Sequence, residues 1–181
     1  WYADIKPFVA NPTVTPADWH FADFFESAIQ AETVGGALTG IPIVTEQEIV
    51  YYRKDLFAKE GIKVPTTMEE FEAAAKHFNS PDKGFYGFVS RGQRSPAVTQ
   101  FSSYLYSFGA NFDKDGKATV DTAEAIRAFT FYGDMLRKYG PPGALNMSWP
   151  QALAIFAQGK AAMYTDASVF YSNMLDPKQS E

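Results

Sequence analysis

Apolar positions along the chain switch between helical and extended periods, and the switches are well punctuated. Thr15-Pro16-Ala17-Asp18 carries a helix-start signal, and Phe21, Phe24, Phe25, Ala28 and Ile29 then recur at i, i+3, i+4, i+7 and i+8, one helical face closed by Gly35-Gly36. Residues 48–52 (Glu-Ile-Val-Tyr-Tyr) are β-branched and aromatic and predict a strand. A short helix over 54–59 stops at Gly61. Thr66-Thr67-Met68-Glu69 has the pattern of a capping box and opens a helix with Phe71, Ala74, Ala75 and Phe78 inward. Residues 85–89 predict a second strand. Pro96 begins a helix with Val98, Phe101, Leu105 and Phe108 on one face and Gly109 as its stop. A tight turn is expected over 113–117. Asp121-Thr122-Ala123-Glu124 caps a long helix with Ile126, Phe129 and Leu136 inward, ended by Gly140-Pro141-Pro142-Gly143. Ser148-Trp149-Pro150-Gln151 caps another that ends at Gly159. Residues 161–165 predict a third strand, and Asp166 is read as the cap of a final helix near 169–175.

Strands that alternate with helices, with helices in excess, predict an α/β domain built on a small sheet. The 181 residues suffice for one ordinary domain or two small lobes. With 46% hydrophobic and 20% charged residues the chain can bury a substantial core, which excludes disorder. Sixteen bases against 21 acids leave a net charge of −5 and no concentrated basic surface, so nucleic acid is not an expected partner. Residues 1–48 hold one base and seven acids (net −6), whereas 49–181 hold fifteen and fourteen (net +1), a first sign of two structural neighbourhoods. Cysteine is absent, which removes thiol chemistry and cysteine-zinc sites. No apolar run reaches membrane-spanning length. A chain that starts on Trp1 without a signal peptide reads as a processed or cut piece of a longer one.

Little in the chain points to catalysis. His20 and His77 lie on separate predicted helices without ligand partners. Asp113, Asp115 and Gly116 echo the start of a calcium loop with Glu124 at its twelfth position, but Glu124 is accounted for as a helix-cap residue. Two polar clusters are better placed. Thr45-Glu46-Gln47-Glu48 interrupts an apolar path between two extended segments. Arg91-Gly92-Gln93-Arg94 follows a strand and precedes a helix, where open α/β folds bind ligands, and arginine there offers forked hydrogen bonds.

An ordered series of motifs then resembles bacterial ABC-transporter extracellular solute-binding proteins, the maltose-binding-protein-like sugar and polyol binders. It runs through Gly40-Ile-Pro-Ile-Val-Thr-Glu46, Tyr51-Tyr-Arg-Lys-Asp-Leu-Phe57, Pro65-Thr-Thr-Met-Glu-Glu-Phe71, Ser107-Phe-Gly-Ala110, Phe156-Ala-Gln-Gly-Lys-Ala-Ala-Met163 and Asp166. The resemblance implies the type II periplasmic-binding-protein-like fold, two α/β lobes around a cleft. Residues 1–47 would be part of the N-terminal lobe, 48–162 most of the helix-rich C-terminal lobe, and 163–181 a crossover returning toward the first. It further implies a periplasmic or extracellular receptor, not itself membrane-spanning, with no cofactor or metal, that takes a sugar or polyol to a membrane permease. Carried over position by position, the ligand contacts would be Glu46, Arg91, Gln93, Arg94, Trp149, Asp166 and Phe170. Two other readings remain open: a carbohydrate-active hydrolase using carboxylates such as Glu46 and Asp166, and a protein-interaction module using its aromatic surface.

Overall fold

In the computed structural model, which describes residues 2–180, the helix expected from Thr15 does not form. The Thr15 hydroxyl donates back to the Phe8 carbonyl at 2.7 Å instead of capping a helix at Pro16. Trp19, Phe21 and Phe24 gather around one 3-10 turn, Phe21–Asp23, with ring centroids 5.7–6.0 Å apart. The aromatic side chains at helical spacing thus pack locally on one another. The chain divides into two compact units, Trp1–Glu46 and Gln47–Glu181. The first contains α1 (Lys6–Val9), α2 (Glu26–Ala31) and a small hairpin of β1 (Thr33–Val34) with β2 (Ala37–Leu38).

The second unit follows the alternating pattern expected of it: β3 (Glu48–Tyr52), α3 (Lys54–Glu60), α4 (Met68–Phe78), β4 (Tyr86–Val89) and α5 (Pro96–Ser107). A two-residue hairpin of β5 (Asp113–Lys114) and β6 (Lys117–Ala118) comes next, turning on Asp115 and Gly116. The long α6 (Ala123–Tyr139), α7 (Trp149–Ala157), β7 (Ala161–Ala167) and α8 (Tyr171–Leu175) complete it. The main sheet has the order β3-β7-β4, with β7 antiparallel to β3 and parallel to β4.

Register divides the apolar side chains of this sheet between two cores. Val89 and Tyr51 flank Tyr164 on the face covered by Leu153 and Phe156 of α7. Phe88 flanks Met163 on the face covered by α4, α5 and α6 through Phe71, Leu105 and Met135. All seven residues of β7 are buried, although Ala-Ala-Met-Tyr-Thr-Asp-Ala lacks the Val/Ile density usual for a central strand.

Helix ends agree with the sequence in kind and differ in detail. The box at the start of α4 is shifted by one residue: Thr67 accepts from the Glu70 N–H at 3.1 Å, and the Glu70 carboxylate takes the Thr66 N–H at 2.8 Å. Thr122 caps α6. The buried stripe of α6 is Ala125, Ala128, Tyr132, Met135 and Leu136, while Ile126 and Phe129 remain about half exposed. Two alanines make that face because they let the helix approach its neighbours closely, and small residues carry little hydrophobic signal. Val98 likewise points outward from α5. Asp166 is no helix cap: it lies inside β7, and a 3-10 turn, Ser168–Phe170, leads into α8.

Close approach of α4 to β4 depends on Gly87, because a Cβ there would lie 1.8 Å from the Ala75 carbonyl oxygen. Gly87→Ala forces the helix off the sheet, and we expect a loss of about 2–3 kcal/mol. A urea midpoint equal to that of the parent would refute it.

Candidate functional site

The β3 start, the β4 end and the β7 end lie at the same edge of the sheet, since Glu48 pairs with Ala167 and Val89 with Tyr164. Ser90 and Arg91 continue from β4 there, and Asp166 stands one residue before the end of β7. Asp166 is fully buried and accepts five hydrogen bonds. The Arg91 Nε and the Tyr164 hydroxyl reach its Oδ2 at 2.9 and 2.7 Å. Arg91 Nη2, the Gln100 amide at 3.2 Å and the Ala167 N–H at 2.8 Å reach its Oδ1. The two-nitrogen fork of an arginine on one carboxylate is the geometry that best compensates two buried charges. Both oxygens are thereby engaged by the protein, so Asp166 holds Arg91 in place and turns no free acceptor outward.

A second layer of hydroxyls runs beneath this pair. Tyr132 donates to the Arg91 carbonyl at 2.6 Å. The Ser90 hydroxyl donates to the Thr165 carbonyl at 3.0 Å, so it accepts from the Thr165 hydroxyl at 3.1 Å, which in turn leaves Tyr104 as donor to Thr165 at 3.0 Å. Burial works against the Arg91 charge, but the Asp166 carboxylate outweighs it and the arginine pKa is raised. Burial, then the Asp166 charge, pushes the Tyr164 phenol far up. Tyr51, stacked on Tyr164 at 5.6 Å and donating to the Ala167 carbonyl, is pushed up to about 12 by burial and by the Asp166 and Glu48 charges. Tyr132 and Tyr104 are raised too, chiefly by burial.

Trp149 opens α7 and Phe170 ends the 3-10 turn after β7. The structure stacks them, with centroids 5.2 Å apart and planes 20° from parallel. Trp149 keeps 44% of its surface exposed, which leaves a ring face for a ligand. Local sequence sets its position: Gln151 accepts from the Ser148 N–H at 3.1 Å, and Pro150 suits the first helical turn. Gln93 and Arg94 are exposed on the loop after Arg91. Thus Arg91, Gln93, Arg94, Trp149, Asp166 and Phe170 belong to one end of one unit, whereas Glu46 is an exposed residue of the other.

Sequence reading missed the supporting residues: Gln100, Tyr104, Tyr132, Tyr164 and Ser90. Gln100 and Tyr104, one helical turn apart on α5, were the available signal, being polar atoms on an otherwise apolar stripe. A cleft of about 660 Å³ opens beside β3, residues 64–67 and the start of α4; Tyr104 and Thr165 line it, and none of the expected ligand contacts does. Among the described residues no group of His, Cys, Asp and Glu is arranged to hold a metal ion, and no helix is long and apolar enough to cross a membrane.

Comparison with known proteins places this architecture. The chain matches the model of the bacterial extracellular solute-binding protein family over residues 1–180, and it belongs to that family. It is 35% identical over 171 residues to the mannitol-binding protein of Pseudomonas aeruginosa, covering 92% of this chain and 39% of that protein. It superposes with a TM-score of 0.90 and 32% identity on an ABC-transporter solute-binding protein from Agrobacterium radiobacter K84 in complex with ribitol, covering 100% of this chain and 45% of that one. A solute-binding protein from Agrobacterium vitis S4 with bound D-mannitol gives 0.86 and 33%, covering 100% and 43%. The chain spans less than half the length of these relatives. Its fold is the α/β, type II periplasmic-binding-protein-like fold of sugar-binding proteins, represented in part.

Two outcomes are expected of the buried network. Asp166→Asn leaves the Arg91 charge without its counter-ion and turns an amide donor toward other donors, so we expect a loss of about 3–5 kcal/mol in urea unfolding; a variant as stable as the parent would remove the pair from its central role. Each raised tyrosine keeps its proton in the folded state at pH values where the unfolded chain, titrating near ~10, gives it up. That stabilisation is complete below about pH 10 and is lost as pH rises toward about 12 for Tyr51 and higher for the others. Urea midpoints should fall steadily across this range, in step with delayed tyrosinate absorbance.

Proposed function

We propose that the full-length protein is the receptor of an ABC importer, binding a polyol or sugar between two lobes and delivering it to a membrane permease from the periplasmic or extracellular side. On this reading residues 1–47 contribute to the N-terminal lobe and 48–162 form most of the C-terminal lobe. Residues 163–181 begin the return crossover. The observation that carries the reading is the Trp149–Phe170 stack at the same sheet end as the anchored Arg91.

The chemistry suits such a ligand. A polyol presents C–H surface that lies on an aromatic face, and hydroxyls that need donors and acceptors around their edge. Trp149 and Phe170 supply the first. Arg91 and Arg94 supply donors, Gln93 supplies both kinds, and Glu46 supplies an acceptor from the other lobe. Asp166 contributes indirectly, by holding Arg91. Polyol relatives at 32–35% identity favour mannitol-like acyclic ligands among the sugars and polyols. The hydrolase alternative is disfavoured because a glycosidase needs two carboxyls that reach the scissile bond, and the Asp166 carboxyl is buried under five protein donors.

Calorimetry of the full-length protein against D-mannitol, ribitol and maltose should show saturable binding, tightest for a polyol. Trp149→Ala should weaken it about tenfold, or about 1.4 kcal/mol. Absence of binding across the panel by a folded protein would overturn the assignment.

A further inference from the structure

The loop after β4 and the loop before α7 meet at a single carbonyl. The N–H groups of Gly92 and Gln93 both donate to the Met147 oxygen, at 3.0 and 2.9 Å. Met147 stands two residues before Trp149. We infer that Gly92 is a positioning residue for ligand binding: it sets the spacing between the arginine loop and Trp149. The inference rests on Trp149 being a ligand contact, as proposed above.

The need for glycine here is one of space. Gly92 lies outside the left-handed region that only glycine enters readily. A Cβ at this position would stand 2.2 Å from the Ala144 carbonyl oxygen and 2.7 Å from the Leu145 Cα. Both are backbone atoms, which cannot swing aside as a flexible side chain does.

The two sides of this contact differ in compliance. Arg91, next to Gly92, is fixed twice: Asp166 grips its guanidinium and Tyr132 its carbonyl. Residues 144–148 form a 3-10 turn and an extended link that starts from Ala144, buried in the main core, and runs through the half-exposed Leu145 and the bonded Met147 carbonyl into Trp149. An added methyl therefore displaces the 144–149 segment rather than the arginine side. Trp149 then moves relative to Phe170, which is carried by the turn after β7, and relative to the hydroxyl-binding groups. Binding sites tolerate only about 0.5 Å of such error.

A double-mutant cycle in the full-length protein, read by calorimetry with D-mannitol, tests this. Gly92→Ala should weaken binding about tenfold on its own, and should add no further loss in a Trp149→Ala background. Leu145→Gly, at a half-exposed position of the same segment, loosens the link to Trp149 and provides the test with a smaller loss should Gly92→Ala fail to fold. A variant that loses thermal stability but binds mannitol like the parent makes the glycine merely structural and overturns the inference. Losses that add fully to that of Trp149→Ala overturn it too. A Trp149→Ala protein that binds like the parent instead overturns the contact reading on which the inference rests.

Discussion

The buried pairing of Arg91 with Asp166 fixes the loop after β4 against the end of β7, the strand beside it in the sheet. Asp166 brings the last residues of β7 to the loop after β4, and through Gln100 it reaches the first turns of α5. Removing two charges from water is costly, and the cost is offset only where geometry is good and every lone pair is used. Here the fork of the arginine, one amide, one phenol and one backbone N–H all converge on two oxygens. A pair so enclosed specifies which strands meet and in what register. A shift of one residue would turn Asp166 toward the α4–α6 face and lose all the side-chain bonds at once.

Around that pair the structure separates support from exposure. Tyr104, Tyr132, Tyr164, Thr165 and Ser90 are buried and bonded to one another, to Asp166 or to backbone, so the hydroxyls beneath the site are engaged, while the Gln100 amide oxygen beside them has no partner. Above it lie the exposed groups, Gln93, Arg94 and half of Trp149. A rigid polar floor with a few free donors and one aromatic face suits the proposed binding of a hydroxylated ligand, because little conformational freedom remains to be lost on binding.

Much of this was legible from the chain and some was not. The strands at 48–52 and 85–89 were clear from their β-branched and aromatic runs, and the starts of α5, α6 and α7 from Pro96, Thr122 and Ser148, since these signals are local. Residues 161–167 showed themselves only in part, because their alanines are suited to close packing on both faces. The helix from Thr15 failed because aromatic rings can satisfy one another without a helix. The buried face of α6 was displaced by one position because Ala125 and Ala128 look neutral in a hydrophobic pattern. Asp166 resembled a cap because an acid before a short helix is a common cap; its partner is 75 residues away. The placement of Arg91, Gln93 and Arg94 after a strand was readable, but the anchoring of Arg91 depends on long-range contacts that no local pattern contains.

The position of β7 between β3 and β4 has a bearing on how the chain comes to be folded at all. Every ladder in the main sheet includes β7, and the Tyr51 hydroxyl finds its acceptor 116 residues further along. During synthesis β3 and β4 emerge before the strand that joins them, so until residues 161–167 are made they are two unpaired ribbons with helices that have no sheet to cover. Closure of so long a loop comes late and is slow. Until then both strands keep open edges, the state in which a chain is most exposed to wrong pairing.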